Sequence, residues 1–290
     1  MTARRVLHRY PILYRNRGFT LVELAVVVLV VGLLIGSLLV PLSTQVDQRN
    51  ATEAQRRLED AREALIGYAI ANQRFPCPAS GTSNGQESFC TNAGASVPAS
   101  CGAPTLTPPA DQRCSNFSNG YLPGAVLGLN NLDSSGYALD GYPLSQGGQG
   151  RMRYAVADPT FGATRHGLTT TGAMRTAGIT TLGNNSLYLF ICNLSAGITA
   201  TTCPIPTTST TVASGNVAFI VFSLGKNGTT STSSDELYNM NSGGGANASI
   251  NKFFISRPFS SAAGAEFDDQ LVWVSNYTLI SRLIAAGMLP

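Results

Sequence analysis

Residues 19–40 read FTLVELAVVVLVVGLLIGSLLV, and the reading of this stretch decides the rest. About 20 apolar residues in helical form cross the hydrocarbon core of a bilayer, so the run is long enough to span one. Its one charged residue is Glu23. Upstream lie Arg4, Arg5, Arg9, Arg15 and Arg17 with no acid among them, which by the positive-inside rule keeps residues 1–18 in the cytoplasm. Everything past Pro41 then faces the periplasm or the exterior. A secretory signal peptide has a shorter apolar region, about 7 to 15 residues, closed by a small-residue cleavage site that is missing here. A plain anchor leaves Glu23 unexplained, because a carboxylate in the membrane costs about 2.5 kcal/mol or more and normally has a partner or a function.

Charge outside that leader is sparse. Charged residues make up 12% of the 290, which is low for a cytosolic protein. Five of the 19 basic residues lie in the leader, so the other 14 face 16 acidic residues, a net charge of −2. Bulk charge therefore gives no affinity for nucleic acid. Six cysteines, Cys77, Cys90, Cys101, Cys114, Cys192 and Cys203, all follow the apolar run. None is spaced C-x-x-C and histidine is scarce, so disulfides in an oxidising compartment are expected rather than zinc. The first four allow three pairings. Cys77–Cys114 with Cys90–Cys101 nested inside is favoured, and Cys192–Cys203 is expected to close a loop between strands.

Within residues 17–24, RGFTLVEL resembles the type III signal of type IV pilins and type II secretion pseudopilins. The resemblance implies cleavage between Gly18 and Phe19 by a prepilin peptidase, N-methylation of Phe19, and a Glu23 that guides assembly. Glu23 lies four residues past Phe19 and so on the same helical face. In such filaments that glutamate is thought to pair with the Phe amine of a neighbouring subunit, which makes two charges tolerable in lipid. The implied partners are the peptidase, other pilin or pseudopilin subunits, the assembly platform and the bacterial inner membrane. The implied function is a structural, non-enzymatic subunit, a minor one, of a type IV pilus or pseudopilus-like filament. A minor pseudopilin of type II secretion, and a tip adhesin or DNA-uptake subunit, are the alternatives. The implied localisation is a single-pass inner-membrane protein that later joins a periplasmic or surface filament.

Three segments follow: a leader at 1–18, a helix at 19–74 with its membrane span at 19–42, and an extracytoplasmic domain at 75–290. Pro41 should bend or open the helix. Beyond it Ala51, Ala54, Leu58, Ala61, Leu65 and Tyr68 form an amphipathic stripe. Strands are expected at Arg151–Ala157, Leu187–Cys192, Val217–Leu224, Lys252–Ser256 and Gln270–Ser275, and a last helix at Tyr277–Ala286 capped by Asn276 and Gly287. Trp273 and Tyr277 are placed in the core. The expected fold is α+β: a long N-terminal helix, transmembrane then amphipathic, packed on a mainly antiparallel sheet with a disulfide-bonded loop insert.

A second resemblance runs through RFPCP at 74–78, GYLPG at 120–124, LGL at 127–129, MRYAV at 152–156, FSLGKNG at 222–228 and FDDQLVW at 267–273. Their order is similar to that in large pilin-like proteins and pseudopilins. Some pseudopilins bind calcium after a similar SLG turn, which makes Asp235, Glu236, Asp268 and Asp269 candidate calcium ligands. Other chemistry is poorly served. His166 is the one histidine outside the leader, against a Ser-His-Asp hydrolase. The G-x-S-x-G at 81–85 has no strand before it and no helix after it, so a nucleophile elbow is not expected.

Overall fold

The computed structural model describes residues 18, 20–91, 101, 103–144, 150–184, 189–198, 203, 212–231, 233–241, 253–262 and 264–289. Expectations for residues 1–17, Phe19, Leu187, Tyr188 and Lys252 lie outside these. The chain divides into two compact units, Met1–Asp47 and Gln48–Pro290. Helix α1, Leu21–Asn72, has residues in both.

In the first unit residues 20–35 are all exposed, the large apolar side chains from 45% at Val31 to 85% at Leu21. A helix that is apolar on every side needs lipid or protein around it. Among the described residues no helix is long and apolar enough to cross a membrane. The described apolar side chains, Leu21–Ile35, cover about 22 Å of a core about 30 Å thick. The side chains at 36–44 lie outside the described set, so the span expected at 19–42 is not seen here. The helical backbone continues through Pro41 rather than opening there.

In the second unit α1 turns amphipathic. Ala54, Leu58, Ala61, Leu65 and Ala69 are all fully buried, at spacings of three and four. Burying each leucine stabilises the fold by about 2 kcal/mol. The opposite face is laced by half-buried pairs such as Glu53–Arg57 at 2.6 Å and Glu59–Arg62 at 2.7 Å. The helix ends at Asn72 because Gln73 turns left-handed, φ 56°, and Phe75 dives into the core against Phe219, ring centroids 5.1 Å apart. Just past the turn, Glu87 is 8% exposed and binds Arg74 at 2.7 Å, Tyr68 at 2.8 Å and the Cys77 amide at 3.0 Å. A buried carboxylate is tolerated only with such partners.

The sheet has six strands: β1 Gly120–Tyr121, β2 Arg153–Val156, β3 Leu189–Cys192, β4 Val212–Ser223, β5 Phe253–Ile255 and β6 Gln270–Ser275. Their order is β1-β2-β4-β3-β5, with β6 also paired to β4. All pairings are antiparallel except β3 with β5. β4 is the spine. Residues Val217–Phe222 are fully buried on both faces and share one core with Leu58, Ala61 and Leu65 of α1. Short helices α2 Gly124–Leu127, α3 Ala173–Asn184 and α4 Ser234–Asn241 were not evident in the sequence. Three disulfides join Cys77 to Cys114, Cys90 to Cys101 and Cys192 to Cys203, the pairs favoured above.

The final helix, α5 Asn276–Ala285, starts one residue earlier than expected. Its cap is Ser275, whose Oγ accepts the Thr278 amide at 3.2 Å, rather than Asn276. Asn276 instead donates to the Gly183 carbonyl at the end of α3. Gly287, φ 70°, closes the helix as expected. Trp273 is half-buried at the sheet edge, whereas Tyr277 is 69% exposed, so it is not a core residue. Ser275→Ala should cost about 1 kcal/mol. The check is the urea midpoint of the variant, with an unchanged slope; an unchanged midpoint would mean that Thr278 is capped by other means.

Candidate functional site

The N-terminal site is built from a helix start. Thr20 Oγ1 accepts the Glu23 amide at 3.3 Å, and the Thr20 carbonyl accepts the Leu24 amide at 3.1 Å. Thr20 is thus the N-cap and Glu23 the third helical residue, the positions of a capping box. An acid there also faces the positive end of the helix dipole. The sequence carries this as Thr-x-x-Glu at 20–23. Gly18 is exposed two residues before the cap, with open space where a Cβ would stand. Gly18 therefore stands outside the helix, which begins at Leu21, and a protease can reach it without unwinding α1. Glu23 is exposed among Leu21, Val22 and Leu24, which are 60–85% exposed.

Residues 13–39 match the family described as the prokaryotic N-terminal methylation motif. The chain carries a prepilin-type signal. That motif is the signature of type IV pilin and pseudopilin precursors, a structural class rather than an enzyme class. It implies processing by a prepilin peptidase and assembly with other subunits. No curated protein and no solved structure matches the chain significantly.

A second cluster lies at the end of β4. Oxygens of Glu236, Asp268 and Asp269 fall within 4.8 Å of one another. Asp235 does not join them. It pairs with Arg257 at 2.8 Å and accepts Ser195 N and Oγ at 2.9 and 2.6 Å, pinning the Cys192–Cys203 loop. The four-carboxylate set expected from sequence is therefore a three-carboxylate set. Glu236 accepts Asn227 Nδ2 at 2.7 Å, the Asp268 amide at 2.6 Å and the Ser231 hydroxyl. Asp268 accepts the Lys226 amide at 2.8 Å, and Asp269 accepts Asn239 Nδ2 at 2.8 Å. Gly225 must be glycine: a Cβ there would stand 2.0 Å from Asp268 Oδ1.

Burial, reinforced by Glu236, pushes the Asp268 carboxyl up from 3.8 to about 6. Burial, then Glu236 and Asp268, likewise raise Asp269 well above its ordinary value against the opposing Asn239 hydrogen bond. The Oδ1 atoms of Asn227, Asp268 and Asp269 are buried without a hydrogen-bond partner. Oxygen-only donors, three of them anionic, fit a hard divalent cation such as calcium. The side-chain amides of Asn227 and Asn239, whose Nδ2 atoms donate to Glu236 and Asp269, were not foreseen, because the fold rather than the sequence brings them to the carboxylates.

The remaining motifs form no nucleophile–base arrangement among the described residues. Ser83 of the G-x-S-x-G is buried and its hydroxyl donates to the Ser80 and Gln86 carbonyls at 3.1 and 2.8 Å. His166 is buried against Phe117, with Nδ1 2.8 Å from Asp158. No serine is placed beside it by a hydrogen bond among the described residues.

Proposed function

We propose that this protein is a minor subunit of a type IV pilus or pseudopilus-like filament. The match at residues 13–39 carries that reading. The peptidase cuts after Gly18, the new Phe19 amine is methylated, and the apolar start of α1 is held in the inner membrane until assembly. Within the filament the same surface packs against neighbouring α1 helices, so one apolar helix serves two environments in turn. Residues 75–290 stand outside the membrane, where an oxidising compartment keeps the three disulfides closed. Intact-mass analysis and N-terminal sequencing of protein from native membranes test the reading. A chain starting at N-methylated Phe19 is expected; one starting at Met1 beside an active prepilin peptidase would overturn it.

We also propose calcium as the ion of the Glu236–Asp268–Asp269 cluster. The three buried, partnerless Oδ1 atoms support it. The sign of the pH effect follows from the raised carboxyl of Asp268. Below 3.8 folded and unfolded chains are both protonated; above it the unfolded chain ionises first, so the calcium-free fold loses stability as pH rises from 3.8 to about 6. Roughly millimolar calcium should cancel that loss near neutral pH and do little in acid. Asp268→Asn should raise the melting temperature without calcium and abolish the response to it. Identical melting curves with calcium and with chelator at neutral pH would sink the assignment.

A further inference from the structure

Two arginines meet two tyrosines at the β1 edge of the sheet. The Arg151 guanidinium lies 4.2 Å from the Tyr137 ring centroid and is neutralised by Asp133 at 2.6 Å. Arg153 stands directly across from Tyr121 in the β1–β2 register, and its guanidinium sits 4.2 Å over that ring. The two rings pack edge to face, centroids 5.1 Å apart. The turn of the unexplained G-x-S-x-G closes one side. Tyr137 Oη donates to the Ser80 carbonyl at 2.8 Å and accepts the Asn84 amide at 3.1 Å. Gly81, Thr82 and Asn84 on this turn are exposed.

Beyond the face of the Tyr121 ring, the charge on Arg153 meets no counter-charge among the described residues. No carboxylate among the described residues pairs with it, and its Nε is buried without a hydrogen-bond partner. Burial, and then the neighbouring Arg151, lower its pKa. A half-buried, unpaired guanidinium beside another cation costs stability. Covering the Tyr121 ring would be served as well by an uncharged side chain of similar length. A fixed, unpaired cation instead suits an anion from outside, and the planar fork matches a carboxylate. One net positive charge on a body of net −2 is poor chemistry for a phosphate polymer. A half-buried ring, Tyr121, beside the exposed hydroxyl of Thr82 and amide of Asn84 suits a sugar.

We propose that Arg153, the half-buried Tyr121 and the turn at 81–85, held in place by the buried Tyr137, form a receptor for the carboxylate of an acidic saccharide. Arg153 grips the carboxylate through its outer nitrogens, and Thr82 and Asn84 meet the sugar hydroxyls. The test uses the full chain in detergent, labelled with 15N-arginine, titrated with D-glucuronate, glucose and inorganic phosphate. The Arg153 Nε–Hε resonance should move saturably with glucuronate and stay still with the other two. Arg153→Met should weaken glucuronate binding about tenfold or more, with a melting temperature equal to or above that of the parent. No movement with glucuronate, an equal movement with phosphate, or a variant that melts well below the parent would each overturn the proposal.

Discussion

Replacing Cys77 and Cys114 together by serine is expected to destabilise the second unit by about 4 kcal/mol, the largest loss of the three disulfides. The bond closes a loop of sequence separation 37, against 11 for each of the others. A longer loop removes more freedom from the unfolded chain, and the 11-residue loops are worth about 3 kcal/mol each on the same reasoning. Position adds to loop length. Cys77 is fully buried and Cys114 is 2% exposed, both in the main core with Phe75 and Phe117. The bond also fastens the segment after α1 to the loop that feeds Phe117, so its loss frees the end of the helix. Against a total of about 5–15 kcal/mol, the double variant should be partly unfolded at body temperature. Urea denaturation of the two paired variants decides the point. If Cys90→Ser with Cys101→Ser shifts the midpoint as far, loop length is not what sets the effect.

Glu23→Gln should nearly abolish entry into filaments while leaving cleavage after Gly18 intact. Glutamine at the third helical position preserves the capping box with Thr20, so the helix start survives and only the charge is lost. An unpaired carboxylate in the membrane costs about 2.5 kcal/mol, roughly a 70-fold bias toward any state that pairs it. On the proposed function that state is the docked subunit, where the Phe19 amine of a neighbour supplies the cation. Glu23→Asp should recover part of the activity, since the charge remains on a shorter arm. The measurement is the amount of variant in sheared filaments against the amount in membranes, with N-terminal sequencing of both. Normal incorporation of Glu23→Gln would leave the acid a helix cap and nothing more.

Local order on the chain was enough for part of this protein. The apolar run with its basic leader, the motif around Gly18 and the Ala54–Leu58–Ala61–Leu65 stripe rest on neighbours in sequence or on spacing. The first four cysteines left three pairings open, and the folded chain decides among them. The five strand candidates are β-branched and aromatic runs bounded by turn formers, and each has a matching strand, although β2 is shorter than expected at both ends and β4 starts at Val212 rather than Val217. β1 is two residues long and held by its pairing to β2, so no local pattern announces it. α3 has a break at Gly178 and α4 is eight residues of mixed polarity, and both are held by what they pack against. Tertiary structure alone decided which carboxylates meet. Asp235 and Glu236 are adjacent on one helix turn, yet one is drawn to Arg257 and Ser195 and the other to Asp268 and Asn227. The same holds for Arg153, whose lack of a counter-charge depends on where β1, β2 and the 81–85 turn come together. Periodicity fixes which face of an element turns inward; which charges then face each other depends on contacts between residues far apart in the chain, and those exist only once the core has closed.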